Sequence, residues 1–278
     1  MWNPDTYLRF ADERGRPFAD LLARVRADKP REVVDLGCGP GNLTATLAAR
    51  WPGAAVRGID SSAEMIERAV ADQGADGPVD YAVGDVRDWR PGPETDVVVT
   101  NAVLQWVPGQ EELVSVWAGE LPAGGWLGLQ VPGNHDAPAH QALRDLCLSP
   151  RWADRLGVVG EQVRGVPEPA EYARLLRDAG CAADVWETTY LHQLPVTGGP
   201  HPVLTWLSGT ALRPVRALLS EGDWAAFCAE LEPQLAAAYP AHGDVVDFPF
   251  RRVFAVGHRT PRTTDPRRAR GGGPSRGA

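Results

Sequence analysis

Residues 33–41 read Val-Val-Asp-Leu-Gly-Cys-Gly-Pro-Gly, and 25 residues beyond Asp35 a second apolar run, Val56 to Ile59, ends in Asp60. Gly37, Gly39 and Gly41 suit a tight strand-to-helix turn in which backbone approaches a ligand with no side chain in the way. An acid closing the next strand accepts hydrogen bonds from ribose hydroxyls. The pair therefore suits a cofactor that carries an adenosine. Two further strand ends continue the series. Gly84-Asp85-Val86 follows the run Val79 to Val83, and Asn101 follows Asp96 to Thr100. A carboxylate at Asp85 can accept from an adenine amino group. In a parallel sheet all four ends open on one side, where ligands bind. Taken singly, Asp and Asn are common turn formers and helix caps; it is the ordered set that points to a cofactor.

The glycines alone do not separate a dinucleotide from other adenosine cofactors. The dinucleotide fingerprint is G-x-G-x-x-G and opens on a pyrophosphate, whereas this turn is G-x-G-x-G with Asp35 two residues ahead of it. A carboxylate repels a pyrophosphate and attracts a cation, most strongly where water is scarce. The sulfonium and amino group of S-adenosylmethionine match Asp35 better than NAD does. The cofactor-binding candidates are Asp35, Gly37, Gly39, Gly41, Asp60, Ser61, Asp85, Val86 and Asn101.

The elements that must carry these residues follow from periodicity. Pro17 opens a helix to Val25, and Val33 to Leu36 is the first strand. A helix to Arg50, a strand over Ala54 to Ile59 and a helix whose start resembles a capping box, Ser61-Ser62-Ala63-Glu64, come next. After strands three and four, a helix over Glu111 to Glu120 and a strand over Gly125 to Val131 complete five alternations, which predicts a doubly wound sheet. Beyond Pro132 the rhythm changes. A helix over Pro138 to Leu148 leads to a loop rich in charge and Gly, then a helix over Pro169 to Ala179, a strand over Ala183 to Leu191, a helical stretch over about 200–240 and a last strand over Pro249 to His258. The fold class is thus α/β: a doubly wound, mostly parallel, seven-stranded Rossmann-like sheet with a helical cover over the cofactor edge. One domain is expected over 1–259, its cover drawn from about 1–16, 133–168 and 193–245.

Composition narrows the function classes. A net charge of -8 disfavours nonspecific affinity for nucleic acid or anionic membranes. No apolar run reaches the ~20 residues of a membrane span, and the opening MWNPDTYLRF lacks a signal pattern, so a cytoplasmic protein is expected. Cys38, Cys147, Cys181 and Cys228 form no C-x-x-C pair and suggest buried thiols rather than a disulfide framework or zinc site. From about residue 260 the chain turns basic and rich in Gly and Pro, the composition of a disordered tail.

The motifs DLGCGPGN, GIDSS and GDV resemble those of the class I S-adenosylmethionine-dependent methyltransferases. WNPDTYLRF, ERGRP, NAVLQWVP, QVPGN, TTYLHQLP and TALRP are similar to the branch of that family that methylates trans-aconitate. The resemblance spans residues 2 to about 258. It implies methyl transfer to a carboxylate of a small polycarboxylate substrate, with no nucleic-acid or membrane partner; the oligomeric state stays open. A carboxylic acid of pKa near ~4 is already ionised at neutral pH, so no catalytic base is required, and the sulfonium makes the methyl electrophilic without a metal. What remains is alignment and exclusion of water.

A polycarboxylate needs local positive charge, and the planar fork of Arg engages a carboxylate through two bonds. Arg14 and Arg213 come first because both lie within the resemblance; Tyr7, His192, Trp106 and Arg252 complete the substrate set, with Arg9, Arg16 and Arg251 as further candidates. If residues 249–258 form a strand, one of Arg251 and Arg252 points inward. Alternatives are a hydroxyl or amine acceptor, which needs a positioned His or acid as base, with His192 as the discriminator, an NAD-dependent oxidoreductase, and a non-catalytic cofactor-binding or RNA-interacting module that uses the tail.

Overall fold

The computed structural model describes residues 11–162 and 165–260, and side chains over 15–161 and 165–260. A first helix, α1 (Ala11–Leu22), lays Phe18, Leu21 and Leu22 against the sheet. It begins before Pro17, which sits inside the helix rather than opening it. The missing N–H costs one intrahelical bond, which the buried apolar face outweighs.

The core then alternates as expected: β1 (Glu32–Leu36), α2 (Thr44–Arg50), β2 (Ala55–Asp60), α3 (Ala63–Gln73), β3 (Val79–Val83), β4 (Thr95–Asn101), α4 (Gln110–Glu120) and β5 (Trp126–Pro132). Ser62, not Ser61, caps α3 by accepting from the Met65 N–H, so Glu64 falls one position early for the expected capping box. There follow α5 (Pro138–Cys147), α6 (Ala153–Gln162), α7 (Pro169–Asp178), β6 (Cys181–Pro195), α8 (Pro202–Ser208), α9 (Arg213–Leu218), α10 (Glu221–Ala238), β7 (Ala241–His242) and β8 (Val245–Arg259). Helix α6 occupies the segment read from sequence as a loop. Gly157 and Gly160 lower its propensity, but Trp152, Leu156 and Val159 share one face and are buried.

Seven strands run in the order β3-β2-β1-β4-β5-β8-β6, with the two-residue β7 added beside β8. The five strands from β3 to β5 in this order are parallel, and β8 is antiparallel to both β5 and β6. Strands β6 and β8 pair without a break from Cys181 opposite Arg259 to Pro195 opposite Val245, so both outrun the bounds read from sequence. Their outer halves leave the sheet as a ribbon. Around it α5, α6, α8, α9 and α10 enclose a separate core that includes Trp152, Trp206, Phe227 and Phe248. The sheet itself is covered on one face by Phe18, Leu21 and their neighbours, which pack on Val33, Val97 and Val99. The other face is covered by Trp117, Tyr172 and Leu176 over Val34, Val98 and Leu127. Among the described residues no helix is long and apolar enough to cross a membrane. Cys38, Cys147 and Cys181 are buried, Cys228 is partly so, and none forms a disulfide.

Candidate active site at the carboxyl ends of the strands

Register places the key side chains on one face of the sheet. Asp35 lies opposite Gly58 and Val99, so Asp60 and Asn101, each two residues further on, share its face. Asn101 lies opposite Gln130, and Arg252 lies opposite Pro132, two residues beyond Gln130. Asp35, Asp60, Asn101, Gln130 and Arg252 therefore project toward the α1 side, at the carboxyl ends of β1, β2, β4 and β5 and beside the antiparallel β8.

The three glycines of the turn after β1 all have positive φ, +79°, +55° and +80°, which disfavours any side chain. They differ in what surrounds them. A Cβ on Gly37 would stand 2.1 Å from a Val103 methyl, and one on Gly41 would stand 2.3 Å from the Tyr81 hydroxyl; one on Gly39 would meet nothing within 4 Å. The outer two serve close packing, while Gly39 opens the surface a ligand would use. Asp60 fastens this turn: one carboxylate oxygen accepts from the Gly39 N–H and the other from the Ser62 N–H, each at 2.9 Å. A carboxylate oxygen takes about two bonds, so both retain capacity for ribose hydroxyls. Ser61, beside it, is exposed.

Asp35 is 3% exposed and accepts from the Thr44 hydroxyl at 2.6 Å. Burial pushes its pKa up to about 7; the Thr44 bond opposes this and the nearby Asp60 charge adds to it. A cation brought alongside would restore the ionised form. Asp85 is held in the opposite state. Arg87 binds both its oxygens and brings its pKa down to about 2. Its carboxylate is thus shared with Arg87, and the Val86 side chain beside it packs into the core. After β4 the chain turns through Ala102 at φ +57°, a left-handed conformation uncommon for a residue with a Cβ. Gln105 Nε2 donates to the Ala102 carbonyl at 2.8 Å. Asn101 Oδ1 and Gln105 Oε1 are buried and accept no hydrogen bond from another described residue, and a buried acceptor left so calls for a partner. With the open Gly39 and the spare capacity of Asp60, they fit an adenosyl cofactor with an amino group.

The other half of the site centres on Arg252. It is 4% exposed, donates from Nη1 to Gln130 Oε1 at 3.2 Å and lies over the Phe250 ring at 4.8 Å. As expected of neighbours on a strand, Arg251 turns the other way, where Glu168 and Glu187 bind it. His192 is buried and stacks on Trp206 at 4.7 Å. Burial, with Arg252 and Arg16 nearby, pushes its pKa down to about 4, so the ring is neutral at pH 7. Tyr190 donates to Asp20 at 2.6 Å under the guanidinium of Arg16, which ties α1 to β6. A cleft of about 560 Å³ opens on the Arg251 side of the ribbon. Its lining, which includes Asp136, Tyr239 and Asp247, shares no residue with the strand-end face.

A family model described as a methyltransferase domain matches residues 8–185. The chain is 57% identical over 258 residues to a trans-aconitate 2-methyltransferase of Mycolicibacterium gilvum, covering 92% of this chain and 98% of that protein. Its identity to the protein of the same name from Mycobacterium tuberculosis is 50%, over 92% and 96% of the two chains. This chain belongs to the trans-aconitate 2-methyltransferase family. Among solved structures, the YcgJ protein of Bacillus subtilis shares the fold, with a TM-score of 0.57 at 13% identity over 88% of this chain and 98% of that one.

For a chain of this family, the sequence candidates divide unevenly in space. Arg252 and His192 converge with Gln130, Tyr190 and Arg16. Trp106, at the end of a 3-10 turn (Leu104–Trp106), is 55% exposed just beyond Asn101. Arg213 is exposed on the first turn of α9 and makes no ion pair with another described residue. Tyr7 and Arg9 lie outside the described residues, as does the side chain of Arg14. Sequence reasoning missed Gln130, Thr44, Tyr81 and Arg87. Gln130 alone left a signal, as the one polar residue in the buried strand WLGLQVP.

Proposed function

We propose that this chain transfers a methyl group from S-adenosylmethionine to a carboxylate of trans-aconitate, giving the monomethyl ester and S-adenosylhomocysteine. The observation that carries this reading is Arg252, a buried cation on the same sheet face as Asp35 and Asp60. A buried guanidinium is favoured by anionic and polar groups around it, and a carboxylate of the acceptor would be one of them. The bound cofactor supplies a methyl made electrophilic by its sulfonium. Gly39, Asp60 and Asn101 hold the adenosyl portion, and Asp35 favours its cationic end. Arg252, supported by Arg16, draws the acceptor to the same edge despite the chain's net charge of -8. Arg213 and Trp106 serve as outer contacts that help exclude water. In the transfer an oxygen–carbon bond forms, the carbon–sulfur bond breaks and its electron pair returns to sulfur; no proton moves, so neither a base nor a metal is needed.

His192 favours this reading over a hydroxyl or amine acceptor. Those nucleophiles must lose a proton, and an imidazole with a pKa of about 4 is a weak base at neutral pH. The test is incubation of the purified enzyme with methyl-labelled S-adenosylmethionine and a panel of di- and tricarboxylates. Base-labile label is expected with trans-aconitate, and no labelled ester from any acid would overturn the proposal.

A further inference from the structure

Gln130 is a fully buried primary amide near the carboxyl end of β5, and its Nε2 has no hydrogen-bond partner among the described residues. Its orientation is not arbitrary. Oε1 accepts from Arg252 Nη1 at 3.2 Å, and a guanidinium offers donors only, so the amide oxygen must face Arg252. The two N–H bonds are consequently turned away from the arginine. The adjacent strand brings Asn101 into register beside Gln130, which sets the amide between the cofactor half of the face and the cation. Native proteins leave few buried donors unpaired, and those they do leave need an account.

We propose that Gln130 is a specificity-determining substrate ligand whose Nε2 donates to a carboxylate of the acceptor next to the charge of Arg252. This rests on the carboxylate-methylation reading above. The carboxylate held there is one that does not react. Donors crowded onto a carboxylate lower its electron density, so the attacking oxygen must come from a different carboxyl group, and the enzyme thereby selects acids with more than one carboxylate. Gln130 would act as the neutral half of a two-residue fork. An apolar side chain would lose the donor, and an acid would repel the substrate.

The experiment compares the unaltered enzyme with Gln130→Met, which has nearly the same volume. A donor to a charged group that is lost on substitution corresponds to about a 10- to 100-fold rise in KM for trans-aconitate. The kcat should stay within about 5-fold and S-adenosylhomocysteine affinity by calorimetry within about 2-fold. An unchanged KM overturns the proposal, as does an equal loss of cofactor affinity, which would give the amide to the cofactor. If Gln130→Met does not fold, the side-chain amide resonances of Gln130 in the unaltered enzyme, saturated with S-adenosylhomocysteine, should shift when trans-aconitate is added. No shift overturns the proposal. Failure of the unaltered enzyme to methylate trans-aconitate would count against the function reading instead, so the two failures are distinct.

Discussion

Between Asp35 and Asn101 the proposed cofactor surface is made of backbone turns and short polar side chains at successive strand ends, met in chain order. Around Arg252 it is made of long side chains drawn from α1, β5, β6 and β8, separated by many tens of residues in sequence. The first half gains its geometry from glycine conformation and from Asp60 fastening the turn. The second depends on a ribbon that leaves the sheet and on a helical core packed around it. A conserved-shape cofactor suits the local construction, while a variable acceptor suits an assembly whose parts can change independently. The two halves should therefore fail separately when perturbed.

The largest effect is expected at Arg252. Replacement by Met removes a buried, hydrogen-bonded charge and should lower kcat/KM for trans-aconitate about 10³-fold, with S-adenosylhomocysteine affinity within about 2-fold by calorimetry. A parallel loss of both affinities would show that the halves are not separable.

Next come the glycines, which test how the cofactor half is built. Gly37→Ala combines positive φ with a Cβ driven into Val103 and should cost about 3 kcal/mol of stability. Gly39→Ala meets no neighbour and should cost about 1 kcal/mol, yet it should weaken cofactor binding because the methyl occupies the open surface. Thermal unfolding read beside calorimetry separates them, and equal stability losses would contradict the division of labour.

The halves should also respond to pH with opposite sign. Asp35 has a folded pKa above its ordinary value of 3.8. Its contribution to stability is present below about pH 4 and is lost as pH rises toward about 7. His192 has a folded pKa below 6.5, so the unfolded chain binds its proton first and stability falls as pH drops from 6.5 toward 4. In unfolding curves across pH 4–8, Asp35→Asn should remove the first trend and His192→Gln the second. Ionisation of Asp35 should also raise S-adenosylmethionine affinity about 5- to 10-fold between pH 6 and 8, flattened in Asp35→Asn. The smallest change is expected at Arg213, which is exposed: Arg213→Ala should raise KM less than about 5-fold. A loss matching that of Arg252 would move the centre of the acceptor site onto the cover.

Much of the cofactor half was legible in the sequence because its residues sit at fixed positions relative to each strand end. Asp35, Asp60 and Asn101 were read from strand-end positions and charge, and the structure places them on one face; it pairs Asp85 with Arg87 and packs the Val86 side chain in the core. The acceptor half was only partly legible. Alternation along β8 correctly required one inward arginine, but which of Arg251 and Arg252 turned inward depended on their neighbours across β5 and β6. Gln130 read as part of an apolar strand, and its partner lies 122 residues away. Helix α6 was hidden by its two glycines, whose low propensity is outweighed by burial of Trp152, Leu156 and Val159 against the rest of the cover.

Local rules thus determined the alternating elements, the glycine turn and the acids at the strand ends, since each follows from backbone sterics and side-chain period within a few residues. Tertiary structure decided which glycines pack against the protein and which one opens outward, because Val103 arrives from the connection after β4 and Tyr81 from β3. It also decided the charge states: Asp35 and His192 owe theirs to desolvation, a property of everything packed around them. The pairing of Arg252 with Gln130 belongs to the same class, since it exists only once β8 has been laid antiparallel against β5.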